Sequence, residues 1–399
     1  MKFTKTILLV SLFALQSYLI RFQIGPYPSN LQEILTIILL LSFLTETAYN
    51  KNIKKTLKNL KKHWILISFA ALTIISILTV PISNFLDFAR HTKFLTFALI
   101  TAYVFTETLN KKSEQTHALK IAGYGAIAFG IFSAIYNLLG FNVAYDHRLL
   151  GPLDAAVYLG FYLTPFFLIF STQFLEKKKK TDLISAIILA ILIIATRSMG
   201  SIGGSFLALT IFLAKKYSKS IFKNKKAIAA IVIIGILIAG AIFQTKILPT
   251  LNTKYSSLDE RGEIWATSFH LLKTPKNDLL GLGFGQFEDT YIKNVDEVLG
   301  RQPLDYKVIQ PHNIFLLFIF HYGILGLALL ITLMIKTTTA FIRSPKITIK
   351  TAGQIVMFYI FLHGLIDTPL FKNDMLIILL VFLELALYER PEARSIKTA

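Results

Sequence analysis

Cysteine is absent from the 399 residues, which excludes disulfides, thiolate metal sites and cysteine nucleophiles. No HExxH pair or cluster of carboxylates is present either, so no metal and no cofactor are expected. The glycine-rich run NDLLGLGFGQFEDTY, residues 277–291, lacks the Gly-Lys-Ser/Thr of a nucleotide-binding loop and has no strand–helix context. Its Gly281, Gly283 and Gly285 are expected to form a tight turn that returns the chain to the membrane. Internal repeats and matched pairs of broken spans, common in transporters, are missing as well. Acidic residues are scarce, 23 against 42 basic ones, for a net charge of +19. Such an excess suits either nucleic acid or a membrane surface, and its distribution decides between them.

What the chain has in abundance is apolar length. Hydrophobic residues make up 54% of it, arranged in twelve segments at about 6–20, 30–48, 64–81, 91–108, 119–140, 155–175, 182–196, 200–214, 227–245, 312–335, 351–366 and 370–388. Most approach the ~20 residues needed to cross the hydrocarbon core. The expected fold is therefore all-α, a polytopic integral membrane protein of about 12 transmembrane helices. Lys2 and Lys5 precede the first apolar run as in a signal peptide, but no small-x-small cleavage site follows, so it reads as a retained span.

Of the 42 basic residues, 28 lie at the termini and on alternate loops, such as KNIKKTLKNLKKH and KKYSKSIFKNKK. By the positive-inside rule these loops and both termini are cytoplasmic, which an even number of spans also requires. The charge meets anionic membrane lipids, and no nucleic acid partner is expected. The organisation is spans one to nine in 1–245, one extracytoplasmic loop in 246–311, and spans ten to twelve with a cytoplasmic tail in 312–399. The loop is long for a connector and too aromatic for disorder, with Trp265, Phe269, Phe284, Phe287 and Tyr291.

Within the loop, SSLDERGEIWATSFHLLKTP predicts an amphipathic helix over about 258–273. Ser257 and Glu260 fit a capping box, and Pro275 ends the run. The face bearing Ile264, Trp265, Ser268, Leu271 and Leu272 lies against the membrane surface or against the top of the protein. Arg261 sits in the first turn, where a cation opposes the helix dipole. Either it waits for an anion such as a phosphate, or it pairs with Asp259 or Glu263. Further on, Gln310, Pro311, His312 and Asn313 stand at the entrance of span ten, with Pro311 as helix starter and His312 in the first turn. His321 lies nine residues later, about 900° of rotation and roughly 13 Å deeper, so the two histidines cannot share a metal. Arg90, Arg148 and Arg197 sit at the same ends of other spans; they either snorkel or converge on a polyanionic headgroup. His363 and Asp367, in the last outer hairpin, either close a site or shape a turn, and the turn is the simpler reading.

The order of these pieces is familiar. An Arg-led helix, Arg261 to Trp265, precedes the turn PKNDLLGLGFGQF, and HNIFLLFIFHYGILGL then opens a span with Gly323 eleven residues after His312. RLLGPLDAAVYLG at 148–160, TRSMG at 196–200 and HGLIDTPLF at 363–371 add weaker echoes. The chain resembles the O-antigen ligase and polymerase superfamily of membrane glycosyltransferases. The resemblance implies a GT-C-like fold and a metal-independent glycan transfer at the outer face of the inner (cytoplasmic) membrane. The donor it implies is a glycan on undecaprenyl diphosphate. The acceptor is a hydroxyl on a glycan, a lipid-anchored saccharide or a protein. Carried over, His312 is the base, Arg261 a diphosphate ligand, and Arg148, Arg197 and Arg90 further cations, with Asn313, Trp265 and Asp367 in support. The family often reads Thr-x-Ser-Arg-Gly where this chain has Thr196-Arg197-Ser198-Met199-Gly200, so the arginine is displaced. Ligase is the first reading, polymerase and protein O-oligosaccharyltransferase the alternatives. From other classes come a twelve-span solute transporter and a non-catalytic scaffold. The transporter would need more mid-membrane polar residues than Gln16, Thr101 and His321.

Overall fold

A computed structural model describes residues 1–25, 27–144, 147–221, 257–273 and 275–388. With no water to satisfy a backbone in lipid, long apolar runs pair their peptide groups internally as helices; ten of the twelve apolar segments coincide with one, and an eleventh, 6–20, does so in its first part. The helices are α1 (Lys2–Phe13), α2 (Leu31–Tyr49), α3 (Ile53–Leu60), α4 (Trp64–Thr79), α5 (Phe85–Thr108), α6 (Lys112–Leu138), α7 (Ala156–Lys177), α8 (Lys180–Ala195) and α9 (Met199–Ile221). After the interval come α10 (Ser257–Leu272), α11 (Pro275–Leu280), α12 (Phe287–Leu299), α13 (Ile314–Arg343), α14 (Ile349–His363) and α15 (Asn373–Leu387). The apolar segment 227–245 lies outside the described residues. By length and composition α2, α6, α7 and α13 suffice to cross a membrane; the chain is a helical membrane protein.

Three expectations need correction. The segment at 6–20 is not one helix: α1 stops at Phe13 and a 3₁₀ turn, Leu15–Leu19, follows. An antiparallel hairpin, β1 (Arg21–Ile24) with β2 (Tyr27–Asn30), then interrupts the all-α pattern. Asn30 ends it by accepting a hydrogen bond from the Glu33 amide at 3.0 Å, which starts α2. Finally, Pro275 does not merely end a helix but opens the short α11.

Helix α15 is the axis of the bundle: every residue from Asp374 to Leu387 is buried. It packs on α5 and α14, while α7 packs on α6, α8, α9 and α14. At one end of this axis Glu384 accepts from His63 Nδ1 at 2.7 Å, and Glu107 lies 3.2 Å from His63 Nε2. Tyr388 stacks on the imidazole, 4.6 Å between ring centres. Both ring nitrogens thus face carboxylates, which suits the imidazolium.

At the other end α13 breaks. Gly323 has φ +63° and ψ −156°, a conformation that L side chains rarely adopt. The break frees carbonyls of the preceding turn. Phe320 O accepts from the amides of Leu282 (2.8 Å) and Gly283 (3.2 Å), and His321 O accepts from Ser76 Oγ (3.1 Å). The turn 281–285, with positive φ at all three glycines as expected, is therefore seated in the kink. Leu279 O lies 2.1 Å from where a Cβ on residue 323 would be. A kink whose freed carbonyls are bonded by a neighbouring segment is how a helix breaks at membrane depth.

The latch at His63 has a pH signature. Burial disfavours its charge, but Glu107 and Glu384 outweigh burial and raise its pKa to about 8. The stabilisation is complete below the ordinary value of 6.5 and is lost as pH rises through about 8, an effect on the order of 1–2 kcal/mol. Thermal unfolding in detergent should show a midpoint that falls between pH 6.5 and 9, and His63→Gln should flatten that fall.

Candidate functional site

The amphipathic helix α10 sits on the top of the protein. Its Ile264 and Leu271 enter a small apolar cluster with Leu282, Phe287, Tyr291, Val295 and Val308, which the α13 residues Leu316 and Phe320 complete. The amphipathic α12 (Phe287–Leu299), whose buried face is Phe287, Tyr291 and Val295, was not anticipated. Its acidic outer face hid the three-residue apolar stripe.

This packing brings the first turn of α10 over the connection between α14 and α15. Arg261 donates from Nε to Ile366 O (3.1 Å), from Nη2 to Asp367 Oδ2 (3.3 Å) and from Nη1 to Ser257 O (2.9 Å). Of the local partners proposed for it from the sequence, Glu263 pairs instead with Arg301 and binds the Leu304 amide. One turn on, Trp265 Nε1 donates to Pro311 O at 3.1 Å.

His312 is two residues outside the helix it was expected to begin. Asn313 is the N-cap of α13, accepting from the amides of Phe315 (2.9 Å) and Leu316 (3.3 Å). His312 precedes it with φ +50°, a left-handed conformation that costs about 1–2 kcal/mol for a residue with a Cβ. Three successive contacts hold it there. Ile314 N donates to Gly364 O (2.6 Å), Asn313 Nδ2 to Leu365 O (3.3 Å), and His312 Nδ1 lies 2.9 Å from Asp367 Oδ1. A carboxylate only accepts, so Nδ1 carries the proton and Nε2 keeps a lone pair in the neutral ring.

Asp367 thus joins His312 to Arg261, and it also shapes the turn, as the simpler reading expected. Its Oδ1 also accepts from the Thr368 amide (2.8 Å), and its carbonyl accepts from His363 Nδ1 (3.0 Å). Burial alone would raise its pKa, but His312, with His363 and Arg261, holds the carboxyl well below the usual range. The side chains are 9% exposed for Asp367, 20% for Arg261 and 32% for His312. The carboxylate is thus out of reach while the imidazole remains accessible.

The other predicted cations fall around this centre at different distances along the fold. The Leu149 amide donates to Ala195 O at 3.0 Å, which joins the strands of chain carrying Arg148 and Arg197. Arg197 has φ +49°, and Gly200 packs against the His363 imidazole so closely that a Cβ would lie 2.7 Å from it. The segment after Arg197 thus reaches the His363 imidazole, and the segment carrying Arg148 is hydrogen-bonded to the end of α8 beside it. Arg90 lies apart on α5, 47% exposed and 2.5 Å from Asp87. Two residues had no sequence signal. Lys372 Nζ stands 3.2 Å from the centre of the Tyr158 ring and 3.7 Å from Asp154. No spacing could have joined them.

His321, by contrast, is buried among aromatic rings. It donates from Nδ1 to Leu317 O at 2.9 Å and stacks on Phe371. Among the described residues no group of His, Asp and Glu is placed to hold a metal ion.

Residues 184–331 match the family model described as O-Antigen ligase; the stretch includes Arg261 and His312. No curated protein matches the chain.

Asp367→Ala would leave Arg261 and His312 facing each other without their shared anion. The expected cost is about 2 kcal/mol, because hydrogen bonds to a charged group are lost while water reaches both donors and repays part of the loss. The thermal midpoint of the purified protein in detergent measures it; an unchanged midpoint would mean that the carboxylate contributes nothing net.

Proposed function

Taking residues 184–331 as an O-antigen ligase family domain, we propose that the protein transfers a glycan from an undecaprenyl diphosphate carrier to an acceptor hydroxyl. The reaction takes place at the outer face of the cytoplasmic membrane, and the protein is of the ligase type. The chain crosses the membrane twelve times, with both termini in the cytoplasm and 246–311 outside. The observation that carries the reading is the single carboxylate of Asp367 shared between a reachable imidazole and a guanidinium.

In this reading His312 Nε2 takes the proton of the acceptor hydroxyl as its oxygen attacks the anomeric carbon. The bond from that carbon to the diphosphate breaks, and undecaprenyl diphosphate departs with the electron pair. Attack opposite the leaving group inverts the anomeric centre. A neutral imidazole with a lone pair on Nε2 suits the work of a general base. Asp367 keeps the ring in the tautomer with a free Nε2 and offsets the charge it gains, as an orienting carboxylate does for other histidine bases. The departing diphosphate gains negative charge at headgroup depth, where Arg261, Arg148 and Arg197 stabilise it. Arg90 is a more distant attractor. Asn313 and Trp265 hold the chain on either side of His312. The acceptor, whether a lipid-anchored saccharide, a second carrier-linked glycan or a protein hydroxyl, approaches from the exposed side of the imidazole.

In producing cells, His312→Ala at matched abundance should strand glycan on undecaprenyl diphosphate and abolish the mature surface conjugate, a loss of about 10²–10⁴ in rate. Lipid mass spectrometry reads both pools. Long chains stranded on the carrier support ligation, single repeats polymerisation; unaltered pools would remove His312 from the chemistry. Arg261→Lys should also be impaired, since an ammonium cannot reproduce the planar fork.

A further inference from the structure

Three polar side chains beside the proposed transfer centre take no part in it. Asp154 stands just before α7, Tyr158 is in the first turn of that helix, and Lys372 is the N-cap of α15. Phe161 lies one turn after Tyr158 on the same side of α7, its ring 4.9 Å from that of His363, which donates to Asp367 O. The charge of Asp367 acts on the Tyr158 phenol. Lys372 ends the turn that Asp367 begins, with Leu370 and Phe371 buried between them. The backbone before Asp154 is pinned: Asn142 Nδ2 donates to Gly151 O (2.8 Å) and Leu153 O (3.0 Å), and the Gly151 amide donates to Asn137 Oδ1 (2.7 Å).

Lys372 Nζ covers the Tyr158 ring at 3.2 Å from its centre and lies 3.7 Å from Asp154 Oδ2, too far for a hydrogen bond. Among the described residues neither the carboxylate, the ammonium nor the phenol has a hydrogen-bond partner. All three are reachable: Asp154 is 86% exposed, Lys372 20%, and Tyr158 is half-buried. Their charges balance, and so do those just beyond, Arg21 and Asp374, which act on the ammonium with opposite sign. Asp154 opposes an anion here and Lys372 opposes a cation. What the cluster offers is a carboxylate that only accepts, an ammonium that only donates and a phenol that does both. That set suits a neutral ligand with several hydroxyls. Two neighbouring hydroxyls of a sugar ring can bridge the gap, one donating to Asp154 while the other accepts from Lys372, and both bonds are charge-assisted.

We propose that Asp154, Lys372 and Tyr158 form a saccharide subsite that holds a vicinal diol of a sugar ring, on the donor glycan or on the acceptor. The subsite rests on the glycan-transfer reading above and adds to it the residues that read the sugar. They determine specificity and do not touch the reacting atoms.

The test uses the full chain in lipid nanodiscs. The probes are carrier-linked glycan and acceptor extracted from producing cells, each before and after periodate cleavage of its vicinal diols, and undecaprenyl diphosphate without a sugar. Asp154→Asn, Lys372→Met and Tyr158→Phe are compared with the wild type, and Asp154→Asn, at an exposed position, leaves the fold in place. Each of the first two should weaken binding of the untreated glycan or of the untreated acceptor about tenfold, the worth of one charge-assisted hydrogen bond. Which of the two weakens assigns the subsite to donor or acceptor. Periodate should weaken wild-type binding of that probe and abolish the difference between wild type and variants. Binding of undecaprenyl diphosphate alone should be the same in all four proteins. Variants that bind both untreated probes as the wild type does, a wild type indifferent to periodate, or variants that lose undecaprenyl diphosphate equally would overturn the subsite. Release of carrier diphosphate by the wild type in the same nanodiscs tests the transfer reading separately: its absence would sink that reading, whereas release with unaltered variants would sink the subsite alone.

Discussion

The carboxylate of Asp367 is the constraint on which this end of the molecule depends. It is nearly inaccessible, and a buried carboxylate is tolerated when cations and N–H groups surround it. Here the imidazole of His312, the guanidinium of Arg261 and the Thr368 amide do so. They come from three separate parts of the chain: the stretch before α13, the first turn of α10 and the turn after α14. One buried charge thus gathers the pieces that the sequence distributes over more than a hundred residues. His312 remains in a left-handed conformation because its neighbours are laced to the same turn, from Gly364 to Asp367.

The geometry around that carboxylate rests in turn on a break in α13. At Gly323 the helix gives up its own hydrogen bonds and receives the turn 281–285. That turn ties α10 and α12 to α13 beneath the site. The glycines are needed twice over, once on each side of the contact, because Leu279 O approaches where a side chain would begin. Seated in this way, α10 places Arg261 over Asp367 and Trp265 against Pro311. The opposite end of the bundle is fastened by a different buried charge cluster, His63 between Glu107 and Glu384.

Much of this was legible in the sequence, for identifiable reasons. Apolar runs report helices directly, so ten segments landed on helices and an eleventh, 6–20, did so in its first part. The alternating glycines reported their own positive φ. The amphipathic stripe placed α10 within one residue at either end. Local rules failed where a partner was distant in sequence. Arg261 was weighed against Asp259 and Glu263 because they are its nearest carboxylates in sequence, yet it pairs with Asp367, brought close only by the tertiary fold. Asp367 looked like a turn residue because a turn is all that its neighbours reveal. His312 was placed inside the helix because Pro311 resembles a helix starter, while Asn313 takes the N-cap. The hairpin at 21–30 and the contact of Lys372 with Tyr158 have no periodicity that could announce them.

The most direct test of the central claim is a single-turnover measurement on the purified chain in lipid nanodiscs. A glycan on an isoprenyl diphosphate carrier and an excess of acceptor are supplied, and released carrier diphosphate is followed together with donor binding. If Asp367-held His312 is the base, His312→Asn binds the donor as the wild type does and loses about 10²–10⁴ of the rate of release. Release by His312→Asn at the wild-type rate would contradict the account.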